Sequence, residues 1–243
     1  MADPARGATG AQSLLQPAYL LHRRAYSGTS LLVELLGREM GRFPAIAKGA
    51  QSKRDGRSAL LQPFVPLVVG WSGGGEVKTV TRVEPEGSAP GLQGRVLYCG
   101  FYLNELLMRL LGRQDPCPGL FDAYAGALRD LARDPEPGLA LRRFEVTLLN
   151  ELGYGLELTT DAESGVAVSA DKHYRYRIET GPLAVMGEPP GDAVSGRTLL
   201  GLAGLAPMDE QARREARGLM RRVLAHYLGG RALKSRELFT KHS

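Results

Sequence analysis

An α+β chain in two parts is what the sequence predicts: a small closed β-barrel, then a helical domain interrupted by a β insertion. Three observations carry that expectation. Five strand-sized apolar runs, separated by Gly, Pro and Ser, crowd into residues 16–84. A Pro- and Gly-rich stretch from Glu84 to Gly94 then gives way to segments with helical periodicity, and Thr159 to Gly201 returns to short alternating pieces.

Taken in order, residues 1–15 are mostly small and polar and are expected to be a disordered extension outside the fold. The five runs are Ala18 to His22, Ser30 to Leu36, Phe43 to Lys48, Phe64 to Trp71 and Val77 to Val83. Their number and size match the five-stranded OB barrel, which commonly binds oligonucleotides on one face. An SH3-like barrel is the structural alternative. Pro63 and Pro66 point to an edge or bulged fourth strand, because proline cannot donate to a ladder. Gly73-Gly74-Gly75 has no following lysine and no helical continuation, so it reads as a hairpin turn between the last two strands.

The helical domain is expected to begin with residues 95–158. Val96, Leu103, Leu106, Leu107, Leu110 and Leu111 recur at helical spacing, and Asp115-Pro116-Cys117-Pro118 forces a turn. Two more helices are expected, near Gly119 to Arg133 and Gly138 to Leu152. The β insertion spans residues 159–204, where polar and aromatic residues alternate from His173 to Ile178. Residues 205–243 supply a last helix and tail. That helix is expected to start near Pro207, stop at Gly229-Gly230, and bury a face made of Ala212, Ala216, Leu219, Met220, Val223, Leu224 and Tyr227. Arg214, Arg217 and Arg221 lie on another face, which is either a solvated surface or a contact for phosphate or an acidic peptide.

The chain of 243 residues carries 31 Lys and Arg against 26 Asp and Glu, a formal charge of +5. The excess is uneven: +5 in residues 1–84, −3 in residues 85–160 and +3 in residues 161–243. Basic ends suit a polyanion ligand, since Lys and Arg that neutralise phosphates release counterions. No run reaches the ~18 apolar residues of a membrane span, and the first 15 residues lack the pattern of a secretory signal. A cytoplasmic protein without membrane contact is expected. Two cysteines, Cys99 and Cys117, exclude a disulfide framework and a four-thiolate zinc site.

Catalytic constellations are sparse. No phosphate-binding loop or nucleophile elbow occurs, and the four histidines show no metal-ligand spacing. Asp161, Glu163 and Asp171 could hold a divalent ion, as in a nuclease, although their Gly- and Ser-bearing surroundings fit turns better. The sharpest local feature is basic: from Lys48 to Arg57, ten residues hold four cations (Lys48, Lys53, Arg54, Arg57) and one acid. Small residues there let a backbone come close while long side chains reach phosphates without reading bases. Tyr19, Tyr26, Phe43, Phe64 and Trp71 are candidate stacking platforms, with at most one or two expected on the outer face.

The sequence also resembles the bacterial RecO family of recombination mediators, from Tyr19 to Phe239. The resemblance is carried by Tyr19-Leu-Leu-His-Arg-Arg-Ala-Tyr26, Ala47-Lys-Gly-Ala50 with Ser52-Lys-Arg54, Leu61-Gln-Pro-Phe64 and Glu76-Val-Lys-Thr79. It continues through Tyr102-Leu-Asn-Glu-Leu-Leu107, Ala140-Leu-Arg-Arg-Phe-Glu145, Leu152-Gly-Tyr-Gly155 and the tail Tyr227-Leu-Gly-Gly with Leu233-Lys-Ser-Arg-Glu-Leu-Phe239. It implies an N-terminal OB domain and a helical domain with a zinc-finger-like insertion.

The activity it implies is non-enzymatic and needs no cofactor. Such proteins bind single- and double-stranded DNA, anneal complementary strands, engage the acidic tail of single-stranded DNA-binding protein (SSB), and with RecR and RecF help load RecA. Many members carry four cysteines in the insertion. Thr159 to Arg177 has none, so a degenerate, metal-free insertion is expected. The expected DNA contacts are Arg23, Arg24, Lys48, Lys53, Arg54, Arg57 and Lys78. For the SSB tail they are Arg142 and Arg143, with Leu103 or Leu107 beside the pocket. A generic OB-fold binder of single-stranded nucleic acid without mediator activity is the alternative.

Overall fold

The computed structural model describes residues 15–52, 56–133 and 136–240. The expected extension at residues 1–15 therefore lies, Leu15 apart, outside the described residues. The chain divides into two compact units between Ala89 and Pro90.

The first unit is a closed barrel of β1 (Gln16–Tyr26), β2 (Ser30–Gly37), β3 (Gly41–Ala47), β4 (Pro66–Ser72) and β5 (Lys78–Pro85), in the order β1-β2-β3-β5-β4 with β4 returning to β1. All pairs are antiparallel except β3 with β5, where Ala45 faces Lys78. This is an OB-like barrel. Alternation fills it: Leu31, Val33 and Leu35 of β2, Phe43, Ala45 and Ala47 of β3, and Leu67 and Val69 of β4 all join one apolar core. Closure leaves β4 no free edge, and the irregularity that Pro63 and Pro66 suggested falls instead as a register shift between Gly70 and Trp71. Gly73 to Gly75 do form the β4–β5 turn, with Gly73 at φ +101. A single helical turn, α1 (Arg57–Leu60), sits between β3 and β4; at four residues it is too short to show periodicity.

The second unit packs α2 (Gly94–Leu110), α3 (Pro118–Arg133), α4 (Gly138–Glu151) and α6 (Glu210–Tyr227) through the apolar faces their spacing predicts. The last helix starts three residues later than expected. The Asp209 carboxylate, not Pro207, caps its start by accepting the Ala212 N–H at 2.8 Å. That bond, with the Arg197 guanidinium beside it, holds the Asp209 carboxyl below its usual range. Tyr227 is half-buried and stacks on Tyr154 at 4.3 Å. A further short helix, α7 (Ser235–Thr240), has its first N–H groups held by Glu105 of α2, which accepts from Lys234 and Ser235 at 3.0 and 2.8 Å.

The β insertion is a three-stranded sheet ordered β7-β6-β8, from β6 (His173–Arg177), β7 (Gly181–Ala184) and β8 (Val194–Ser195). Tyr174 and Tyr176 point inward and Arg175 and Arg177 outward, as the alternation predicts. Residues 196–202 are helical (α5, Gly196–Leu202), not strand-like. Ser195 caps α5, and Glu215 of α6 accepts from the Ser195 N–H and hydroxyl and the Thr198 hydroxyl at 2.6–2.9 Å.

Candidate nucleic-acid interface

The barrel gathers several of the expected cations at one end. Strand β1 is bulged between Leu20 and His22, which changes the side of the strand that faces outward. Beyond the bulge Arg23 pairs with core residue Val33 and Ala25 with core residue Leu31. His22, Arg24 and Tyr26 consequently share the outer side, and all three are exposed. A row of partners, Ala25–Leu31–Ala47, carries this end across β2 to β3, so Lys48 emerges beside it.

Hydrogen bonds tie the basic loop to the same end. Gln51 donates its backbone N–H to the Thr29 carbonyl at 2.7 Å and its side-chain amide to the Ser30 carbonyl at 2.5 Å, pinning the loop after β3 onto the β1–β2 turn. Gly49, at φ +73, allows the tight turn this needs. Arg57 donates to the Lys48 carbonyl at 2.7 Å, closing the loop on itself. Arg23 donates to the Ser58 and Leu61 carbonyls, each at 2.9 Å, and holds α1 in place. Arg23 and Arg57, two of the four arginines expected to meet DNA, are thus engaged by main-chain carbonyls, while Arg24 and Lys48 are exposed. Lys53 and Arg54 lie outside the described residues.

Lys78 corrects the expectation of a surface contact. It is 7 % exposed, in the parallel β3–β5 pair that closes the barrel. Of the aromatic candidates, Tyr19, Phe43 and Phe64 are buried, Trp71 packs on Phe43 with ring centroids 4.8 Å apart, and Tyr26 is 44 % exposed.

In the second unit, Arg142 and Arg143 part company. Arg142 forms an ion pair with Glu145, which is fully buried and also accepts the Tyr102 hydroxyl at 2.6 Å. Arg143 is exposed. Leu103 and Leu107 are wholly inside the helical core, a correction to the expected surface contact imposed by their place on the buried face of α2. Burial pushes the Cys99 thiol up to about 11, and burial with the Glu151 carboxylate does the same for Cys117, so both are protonated thiols at neutral pH.

The acidic trio does not converge. Among the described residues, no group of three or more His, Cys, Asp or Glu is placed to hold a metal ion. Asp161 is instead an organiser of the insertion. Its Oδ1 accepts from the Ser164 N–H and hydroxyl, each at 2.7 Å, and from the Glu163 N–H at 3.2 Å; its Oδ2 accepts from the Ala184 N–H at 2.6 Å. These bonds, the Ser164 hydroxyl first, lower its carboxyl to about 2. A zinc site in the insertion does not fit these residues, because no thiolate is present there and the one buried carboxylate already serves the backbone.

Comparison with known proteins agrees with this architecture. The family described as "Recombination protein O N terminal" matches residues 12–89, and "Recombination protein O C terminal" matches residues 92–237. The chain is 53 % identical over 230 residues to the DNA repair protein RecO of Methylococcus capsulatus, covering 95 % of this chain and 94 % of that protein. It is 48 % identical over 234 residues to that of Halorhodospira halophila, with 95 % and 97 % covered. Against that of Azoarcus sp. it is 45 % identical over 229 residues, with 92 % and 93 % covered. On both family matches and on these relatives, each spanning nearly its whole length, the chain belongs to the RecO family of DNA repair proteins.

Proposed function

We propose that this protein is a recombination mediator that binds single- and double-stranded DNA and anneals complementary strands, including strands coated with SSB. With RecR and RecF it then helps load RecA in the cytoplasm, at the nucleoid. The observation that carries the reading is the barrel end, where Arg24, Lys48 and exposed Tyr26 are brought together by the β1 bulge and the Gln51 bonds. Annealing needs two like-charged strands held close, and a cationic surface lowers their repulsion without ATP. Tyr26 supplies a ring on which an unpaired base stacks, an interaction worth about 1–3 kcal/mol. Lys53 and Arg54 add two charges to the same loop in the sequence. On the second unit, Arg143 is the cation that an acidic SSB tail reaches, since Arg142 is held by Glu145. No step calls for catalysis, and no described helix is long and apolar enough to cross a membrane.

Annealing of complementary oligonucleotides precoated with SSB tests the reading. The protein should accelerate duplex formation on coated strands. A generic single-strand binder would retard it, and retardation would overturn the mediator assignment.

A further inference from the structure

Helices α4 and α6 pack together and end at one corner of the second unit, and each end carries a tyrosine. Gly153, at φ +79, turns the chain after α4 so that the Tyr154 N–H donates back to the Leu149 carbonyl at 2.8 Å. Tyr227 closes the last turn of α6. The two rings stack with centroids 4.3 Å apart and planes 20° apart, yet Tyr154 remains 44 % exposed, so its outer side meets solvent.

A third element brings charge to the pair. Glu179, in the turn from β6 to β7, lies 3.4 Å from His226 Nε2, and His226 packs edge-on against Tyr227 with centroids 5.1 Å apart. Burial first, then the Glu179 carboxylate and Tyr154, push the Tyr227 phenol above its ordinary range. Glu179 is itself exposed and holds φ +69, a left-handed backbone that glycine adopts freely and glutamate does not. The helix ends add charge of the same sign. Each C-terminus contributes partial negative charge, and α4 has no basic residue in its last turn while α6 has His226 alone. Arg177 of β6 points to the side of the sheet opposite Tyr176, the residue of that strand that lies toward Tyr227.

An exposed aromatic pair in a negative corner suits neither phosphate nor an acidic tail, since Glu179 and the helix ends repel both. A guanidinium fits. Its plane stacks on the negative face of an aromatic ring while its N–H groups reach a carboxylate. We propose that the Tyr154–Tyr227 corner is a docking site for a basic segment of a partner protein, in which an arginine lies on the open side of Tyr154 and donates to Glu179. The chain as a whole carries +5, so its overall charge opposes such a partner and a local site must attract it. The inference does not rest on the DNA reading.

The test titrates full-length protein into a labelled Arg-Gly-Arg peptide at low salt and follows anisotropy, with Lys-Gly-Lys and Ser-Gly-Ser peptides for comparison. Four variants are used. Y154L keeps an apolar side chain without a ring, and Y154F keeps the ring; E179G removes the carboxylate and suits the left-handed backbone; E188Q removes one charge from an exposed position between β7 and β8. The Arg peptide should bind more tightly than the Lys peptide, and the Ser peptide should not bind. Y154L and E179G should each weaken the Arg peptide about three-fold, and together about ten-fold. E179G should do so while melting at or above the wild-type temperature, and Y154F and E188Q should bind as wild type. The inference is overturned if the Arg and Ser peptides bind alike, if Y154L/E179G binds as wild type, or if E188Q loses as much as E179G. A double variant that loses a single-stranded oligonucleotide but keeps the Arg peptide assigns the pair to nucleic acid and equally overturns it.

Discussion

The Arg57 guanidinium donates to the carbonyl of Lys48 at 2.7 Å, so one cation of the basic loop fixes the backbone from which another projects. Adjacent charges in a sequence therefore divide into those that build the surface and those that present it. Arg57→Ala should lower stability by about 1 kcal/mol, the net worth of one solvent-exposed hydrogen bond, and Arg57→Lys should not rescue it because a single ammonium lacks the guanidinium's fork. Lys48→Ala should change stability by less than about 0.5 kcal/mol and flatten the DNA-binding salt slope by about 0.7–0.9. Urea titration beside anisotropy separates the two, and equal loss of stability in both variants would contradict the division.

A second division concerns Arg142 and Arg143. Removing Arg142 strands the buried Glu145 carboxylate, which should cost about 3 kcal/mol and lower the urea midpoint. Arg143→Ala should leave the midpoint unchanged and weaken a fluorescent SSB-tail peptide several-fold. Peptide binding that survives Arg143→Ala would remove that residue from the proposal.

The Asp161 carboxyl titrates at about 2 in the fold against an ordinary value of 3.8. Its contribution is therefore complete above about pH 5 and is lost as pH falls through 4 toward 2. Asp161→Asn keeps an acceptor for Ser164 but turns an amide N–H₂ toward the Ala184 N–H. It should destabilise the protein by about 1–3 kcal/mol at neutral pH and lessen the fall in stability between pH 5 and pH 2. Because this carboxylate organises the insertion, EDTA should leave the melting temperature unchanged; a fall on chelation would assign the role to a metal.

Gly196 sits where a Cβ would lie 1.9 Å from the Ser169 carbonyl oxygen, main chain that has no rotamer to escape into. Gly196→Ala should cost on the order of 3 kcal/mol or more, read as a lowered urea midpoint. Gly218→Ala, in open space within a helix, should raise the midpoint slightly. Equal midpoints for the two variants would dismiss the close contact.

Strand β2 and the stripe along α6 were legible because alternation and the helical repeat are local properties: Leu31, Val33 and Leu35, or Ala212, Ala216 and Leu219, declare a buried side within a few residues. The five-strand count, the Gly73 to Gly75 turn and the stop at Gly229-Gly230 belong with them. Helix α5 was not, since its start is held by Glu215 of α6, which accepts from Ser195 and Thr198 across 20 and 17 residues; the start of α6 is a local choice between Pro207 and Asp209, decided by the Asp209 bond to the Ala212 N–H. The candidate site divides the same way. Sequence alone determined that the N-terminal part is a small barrel with a surplus of cations and that the chain resembles the RecO family. Only the tertiary structure decided which cations face solvent. A bulge at Leu20/His22 sets the direction of Arg24, bonds across 35 and 9 residues engage Arg23 and Arg57, and barrel closure buries Lys78. Side-chain charge is written in the sequence, but its availability depends on partners and solvent that the folded chain alone brings to it.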